Sequence, residues 1–246
     1  MDMSTDTAWE EWGRRDPYYG VITDPKFRSS GMNDQTRQAF FESGRWHVGH
    51  VLEAIRRHID PQFSPSRVLD FGCGVGRVLI PFSAVAQEVI GLDVSPSMLL
   101  EAKRNCDENC VTNAHLQLSD DTLSTLAGRF DLIHSCIVFQ HIPVERGRAI
   151  FFKLLQHLIP GGIGAVQVTY SKARFAATNG LAPSALQEQV PNQPVPADVD
   201  PEIQMNPYNM NSILFMMQES GVTRFYTEFT DHGGELGVFL FFKKQV

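Results

Sequence analysis

The chain has 246 residues, 43% of them hydrophobic and 20% charged, with a formal net charge of −7. These proportions are those of a soluble globular protein, long enough for one α/β domain with additions or at most two small domains. The acidic balance argues against a nucleic-acid partner held by a basic face, and no apolar run is long enough to span a bilayer. The N-terminal stretch is acidic and lacks the apolar core of a signal peptide. Cys73, Cys106, Cys110 and Cys136 follow neither a disulfide nor a metal-ligand pattern, so reduced thiols, no metal site and a cytoplasmic location are expected. Oligomeric state is left open.

In chain order, residues 1–32 are rich in Trp, Tyr, Asp, Gly and Pro without a regular amphipathic pattern. Trp9, Trp12, Tyr18 and Tyr19 in such an arm would either pin it to the domain or close it over a ligand as a lid. The main domain then spans 33–246. Asn33 or Asp34 caps a helix running to about residue 42, Gly44 interrupts it, and a second helix covers 45–58. Val48, Val51, Leu52 and Ile55 give that second helix a core face. His47 and His50, one turn apart, look at first like a metal pair but read better as a helix face beside a ligand.

Strand signals follow over 68–71, 88–93, 114–119, 130–138 and 163–170. Between them lie a helix over about 76–86, strained by Pro81, one capped by Ser95 with Pro96 in first position, and one opened by Pro143. Pro160, Gly161 and Gly162 stop the last of these. Residues 171–207 are polar and broken by prolines, which suits a lid-like insert or binding loop. A helix capped by Asn209 or Asn211 and two strands, over 224–230 and 237–243, end the chain.

The stretch Val68-Leu69-Asp70-Phe71-Gly72-Cys73-Gly74-Val75-Gly76 runs a buried strand into a glycine-rich turn and a helix. The glycines allow a sharp turn and bare backbone against which a ligand can lie, near free helix N–H groups. Asp93 ends the next strand, where a carboxylate can take both hydroxyls of a ribose. The spacing G-x-G-x-G, with Asp70 two residues earlier, differs from the G-x-G-x-x-G of dinucleotide sites. A carboxylate there would repel a pyrophosphate and suit an ammonium group.

On these residues, and on Leu92-Asp93-Val94-Ser95, the chain resembles the class I S-adenosylmethionine-dependent methyltransferases of the small-molecule type. The likeness covers about 40–170 well and 205–246 in outline. It implies a doubly wound α/β fold, with a mostly parallel seven-stranded sheet ending in an antiparallel hairpin. It also implies S-adenosyl-L-methionine as cofactor, S-adenosyl-L-homocysteine as product and a small-molecule acceptor. Asp70, Gly72, Cys73, Gly74, Gly76, Asp93 and Val94 would form the cofactor cradle. Asp120, with Asp121 as its alternative, would meet the adenine, although both could be helix-capping acids. Ser135 would border the methionyl part, and Arg45 would pair with its carboxylate.

The stretch Ser135-Cys136-Ile137-Val138 lacks the Asn/Asp-Pro-Pro-Tyr motif of enzymes that methylate base amino groups, which favours oxygen over nitrogen as the acceptor atom. His141 could serve as a general base or simply brace its loop. His232, flanked by Asp231 and near Glu235, could face the acceptor or lie in a plain glycine-rich turn. Two other readings stay open: a methyltransferase-like module that binds cofactor without turnover, and a nicotinamide-dependent oxidoreductase, which the glycine spacing disfavours.

Overall fold

In the computed structural model, residues 5–182 and 200–245 are described. One sheet of seven strands runs through the molecule in the order β3-β2-β1-β4-β5-β7-β6. Its strands are β1 (Arg67–Phe71), β2 (Glu88–Asp93), β3 (Ala114–Leu118), β4 (Phe130–Ser135), β5 (Leu158–Lys172), β6 (Val222–Asp231) and β7 (Glu235–Lys244). The first five pair in parallel, and β7 pairs antiparallel with both β5 and β6. Leu69 and Leu132 are fully buried in β1 and β4, as strands covered by helices on both faces must be. Strand order reverses between β1 and β4, and ligands of such sheets bind at that reversal, beyond the carboxyl ends of the strands. Among the described residues no helix is long and apolar enough to cross a membrane.

The arm departs from its irregular reading. It forms α1 (Thr5–Arg15) and α2 (Pro17–Val21), with Pro17 in the first helical position. Trp12 and Tyr18 are buried in the same core as Phe40 and Phe41 of α3 (Asp34–His58). The arm is therefore part of the domain's packing.

Helix α3 is also continuous through Gly44. A Cβ at Gly44 would stand 2.0 Å from the carbonyl oxygen of Arg77, so close packing, not helix termination, explains the glycine. An interior glycine costs only about 1 kcal/mol relative to alanine, which 25 residues of packed helix absorb. Asn33 caps α3 by accepting from the Thr36 N–H, and Thr36 Oγ1 accepts in return from the Asn33 N–H.

After β1 the expected long helix shrinks to α4 (Leu79–Ser83), with Pro81 in a first turn where no N–H is needed. Helix α5 (Pro96–Glu108) starts at Ser95, whose hydroxyl accepts from the Met98 N–H. Strand β4 stops at Ser135, because Ile137 takes a left-handed backbone (φ 59°) and a 3-10 turn follows over Phe139–His141. Beyond it comes α6 (Val144–His157). Pro160, Gly161 and Gly162 lie inside an irregular start of β5 instead of ahead of it. Of the 171–207 insert, residues 183–199 lie outside the described residues; Ala173–Thr178 form a 3-10 helix. Tyr208 then plugs the chain back down, its hydroxyl donating to the carbonyls of Phe139 and Ile142, before α7 (Met210–Glu219) capped by Asn209.

Candidate active site

A cavity of about 620 Å³ opens at the strand-order reversal, lined by the ends of β1, β2 and β4, by the arm and by the 231–235 turn. Such a volume is that of a small-molecule site. Its floor includes Gly72, Cys73 and Gly74 of the glycine turn, whereas Gly76 does not line it. Gly72, Gly74 and Gly76 all have positive φ, 76°, 52° and 87°, which only glycine adopts without strain. The N–H groups of Gly72 and Cys73 donate to Leu92 O at 2.8 and 2.9 Å, and that of Gly74 donates to Asp93 Oδ2 at 2.8 Å. Asp93 Oδ1 accepts from the Ser95 N–H at 3.0 Å. Burial pushes the Asp93 carboxyl up to about 6 against these bonds, with the charge of Asp70 adding to the rise. Both carboxylate oxygens keep a lone pair for a ligand hydroxyl.

One end of the cavity carries opposite charges side by side. Asp70 Oδ1 accepts from His134 Nδ1 at 2.8 Å, while Asp70 Oδ2 is buried without a partner among the described residues. Arg77 is 9% exposed; Nη1 donates to Ser43 Oγ at 3.4 Å and Nε has no partner among the described residues. Both side chains line the cavity. Buried groups left unpaired in this way are costly unless a ligand completes them. A ligand with an ammonium and a carboxylate, such as an α-amino acid, fits that donor set. Arg45, the residue expected to hold the carboxylate, pairs with Glu42 on the exposed face of α3 and does not line the cavity.

The adenine end differs in detail from the expectation. Val94, Met98, Ser119 and Asp120 line the wall. Asp120 is committed to its own loop: it accepts from the N–H and hydroxyl of both Thr122 and Ser124, which holds its carboxyl well below the usual range. Asp121 lies outside the cavity and pairs with Arg146, which also grips Asp6 of the arm through two nitrogens at 2.6 and 2.8 Å. Ser135 is buried and donates to Phe71 O at 3.0 Å, so it ties β4 to β1. Cys73 and Cys136 line the site; burial pushes both thiols up, Cys136 to about 12, which leaves them unreactive. Among the described residues no three metal-ligating side chains cluster.

The arm roofs the cavity. Glu10 accepts from Ser95 Oγ at 2.7 Å, Ser97 N at 3.0 Å and Ser97 Oγ at 2.6 Å, seating α1 on the N-terminus of α5. Val21 rests on the glycine turn so closely that a Cβ at Gly74 would fall 2.7 Å from it. Thr5 Oγ1 donates to the carbonyl of His141 at 2.8 Å, and Trp9 packs its ring 5.0 Å from the imidazole. From the other side His141 Nδ1 donates to Gln204 O at 2.9 Å. Its Nε2 faces Gln140 Nε2 at 3.3 Å, and Gln140 Oε1 is taken by Thr169. The lone pair of His141 is thus engaged, and burial lowers its pKa to about 4. His141 clasps arm and insert to the same turn.

His232 also lines the cavity, at its mouth, and its ring takes no hydrogen-bond partner among the described residues. Partial burial lowers its pKa. Its neighbours are occupied elsewhere: Asp231 accepts from the Gly234 N–H and Glu235 pairs with Lys172. Three contributors escaped the sequence reading. Arg77 stands directly after Gly76, where adjacency to the turn was the available signal. His134 and Glu10 reach the site only through strand register and arm docking.

Residues 68–162 match a family model described as a methyltransferase domain. The chain is 40% identical over 77 residues to a 23S rRNA uracil-C5 methyltransferase of Shewanella frigidimarina, covering 30% of this chain and 17% of that protein. It is 27% identical over 96 residues to a ubiquinone biosynthesis O-methyltransferase of Azorhizobium caulinodans, covering 39% of this chain and 36% of the relative. The matches therefore take in well under two thirds of those relatives' lengths. The magnesium protoporphyrin IX methyltransferase of Synechocystis, solved with S-adenosylhomocysteine bound, superposes with a TM-score of 0.64 at 19% identity, over 99% of this chain and 97% of that one. Residues 68–162 thus resemble a methyltransferase domain, and the chain around them has the seven-stranded fold of the class I methyltransferases.

Proposed function

We propose that the chain binds S-adenosyl-L-methionine and transfers its methyl group to a small-molecule acceptor, at oxygen in preference to nitrogen, releasing S-adenosyl-L-homocysteine. The observation that carries this reading is the composition of one cavity. It holds a glycine turn, a carboxylate beside it and the side chains of Asp70 and Arg77, each with a polar atom that has no partner among the described residues. In this reading Asp93 takes the ribose hydroxyls, Val94 and Met98 border the adenine, Asp70 meets the ammonium and Arg77 the carboxylate.

When bound, the donor supplies an electrophilic methyl carbon on sulfur. The chain's own part is alignment and exclusion of water, for which the arm over the glycine turn and the 139–142 turn are placed. His232 is the imidazole at the mouth with a nitrogen available for an acceptor proton; His141 is the brace. A net charge of −7 works against an RNA acceptor gripped by its phosphates. The test is calorimetric titration with S-adenosylhomocysteine, followed by incubation with methyl-labelled donor and a metabolite extract. Binding with a labelled small product is expected. Failure to bind would refute the reading, and binding without any labelled product would leave a cofactor-binding module in its place.

A further inference from the structure

Beneath one end of the cavity runs a string of three side chains from three elements, buried at Asp70 and His134 and half-buried at His47. Asp70 of β1 and His134 of β4 stand opposite each other in the parallel register, their side chains 4% and 1% exposed. His134 Nδ1 meets Asp70 Oδ1 at 2.8 Å, and its Nε2 meets Nε2 of His47, from α3, at 2.8 Å. Phe82 and Phe239 pack edge-on or tilted against the His134 ring, and Phe239 also packs on His47. The string ends in a carboxylate oxygen that has no hydrogen-bond partner among the described residues.

The two short contacts constrain the rings. A carboxylate only accepts, so His134 donates from Nδ1. With that hydrogen on Nδ1, Nε2 of His134 can accept from Nε2 of His47. Burial, then the neighbouring His134 and Arg77, hold His47 well below the usual imidazole range, which keeps it neutral. The string therefore tethers one oxygen of Asp70 and leaves the other without a hydrogen-bond partner among the described residues.

We propose that His134, backed by His47, is a positioning residue that fixes Asp70 for the ammonium group of the methyl donor. This rests on the donor reading above and adds that the amino group, in particular, is read through a histidine pair behind Asp70. Without His134 the carboxylate would be free to rotate toward Arg77, which shares that end of the cavity. An internal Asp–Arg pair would then compete with both charges of the ligand.

The test compares two ligands on three proteins. S-adenosylhomocysteine and its analogue lacking the amino group are titrated calorimetrically into the wild type, His134→Leu and His134→Asn, with thermal melts to establish folding. Asn keeps an N–H near the position of Nδ1. The expected result is a loss of about tenfold or more for S-adenosylhomocysteine in His134→Leu, the worth of one charge-assisted hydrogen bond. The analogue should lose little, and Asn should restore most of the difference. If His134→Leu does not fold, His47→Phe takes its place, with the same ligand-selective loss expected and His47→Gln as its rescue. Equal losses for both ligands, no loss, or wild-type affinity indifferent to the amino group would overturn the proposal. A wild type that binds neither ligand would instead refute the donor reading itself.

Discussion

Asp93 Oδ2 accepts the backbone N–H of Gly74 at 2.8 Å, so the acid that ends β2 also braces the turn that follows β1. One carboxylate thereby shapes the floor of the cavity and presents itself to a ligand on that floor. Replacing it should damage both roles. Asp93→Ala is expected to weaken S-adenosylhomocysteine binding by about 3 kcal/mol or more, roughly a hundredfold, since charge-assisted bonds are lost and the turn is loosened. Calorimetry measures this directly, and unchanged affinity would remove Asp93 from the site.

The same carboxylate predicts a pH dependence. Its folded pKa of about 6 lies above the ordinary 3.8, so the stability it contributes is fully present below 3.8 and is lost as pH rises through 6. Donor binding runs the opposite way, because the hydroxyls of a ribose need the ionised form to donate to. Affinity for S-adenosylhomocysteine should therefore rise between pH 5 and 7 and level off above. Titrations at fixed ionic strength across that range check it; a flat profile would mean that Asp93 is not the titrating partner.

Arg77 and Arg45 give a paired prediction. Arg77 is buried, lines the cavity and has a nitrogen without a partner among the described residues, whereas Arg45 is exposed and paired with Glu42. Arg77→Met should leave the melting temperature unchanged or raise it, because a buried charge is exchanged for an apolar chain of similar length. It should also weaken donor binding about tenfold or more. Arg45→Met should change neither, as exposed pairs of this kind contribute little. Parallel melts and titrations of the two variants separate the assignments.

How much of this was legible in the sequence follows from which interactions are local. The glycine turn, Asp93 and the Ser95 cap lie within single strand–turn–helix units, and their residues announce themselves by spacing. Gly44 misled because a glycine that breaks a helix and one that admits a neighbouring backbone look alike until Arg77 is seen beneath it. Asp120 looked like a ligand for adenine, but Thr122 and Ser124, two and four residues on, were equally visible competitors for its oxygens. The pairing of Asp70 with His134 spans 64 residues, and that of Glu10 with Ser97 spans 87. No local pattern encodes such contacts; strand register and the docking of the arm create them.

His232 and His141 should behave differently when replaced. His141 is buried, neutral and clasped between Gln204 and Thr5, so its loss is a structural event. His232 stands at the cavity mouth. His232→Ala is expected to lower kcat about tenfold to a hundredfold while leaving the affinity for S-adenosylhomocysteine within about twofold, the pattern of a group that handles an acceptor proton. Once an acceptor is in hand, steady-state kinetics beside calorimetry would decide, and unchanged turnover would make His232 a turn residue only.

The arm offers the last test. Removing residues 1–20 outright would strip Trp12 and Tyr18, 3% and 6% exposed, from the core, so folding and lid function would fail together. A point change separates them. Glu10 takes three hydrogen bonds from Ser95 and Ser97 at the N-terminus of α5, and these outweigh the burial that would otherwise raise its pKa. Glu10→Gln removes the charge and an acceptor while leaving the packing of Trp12 and Tyr18 in place. Stability should fall by about 1–2 kcal/mol, or about 2–8 °C in Tm. Amide exchange should quicken over residues 5–15, and S-adenosylhomocysteine should dissociate faster, because Val21 and Trp9 are held over the cavity by the same helix pair. Faster exchange without faster dissociation would show that the arm opens and closes independently of the bound donor, and the lid role would be withdrawn.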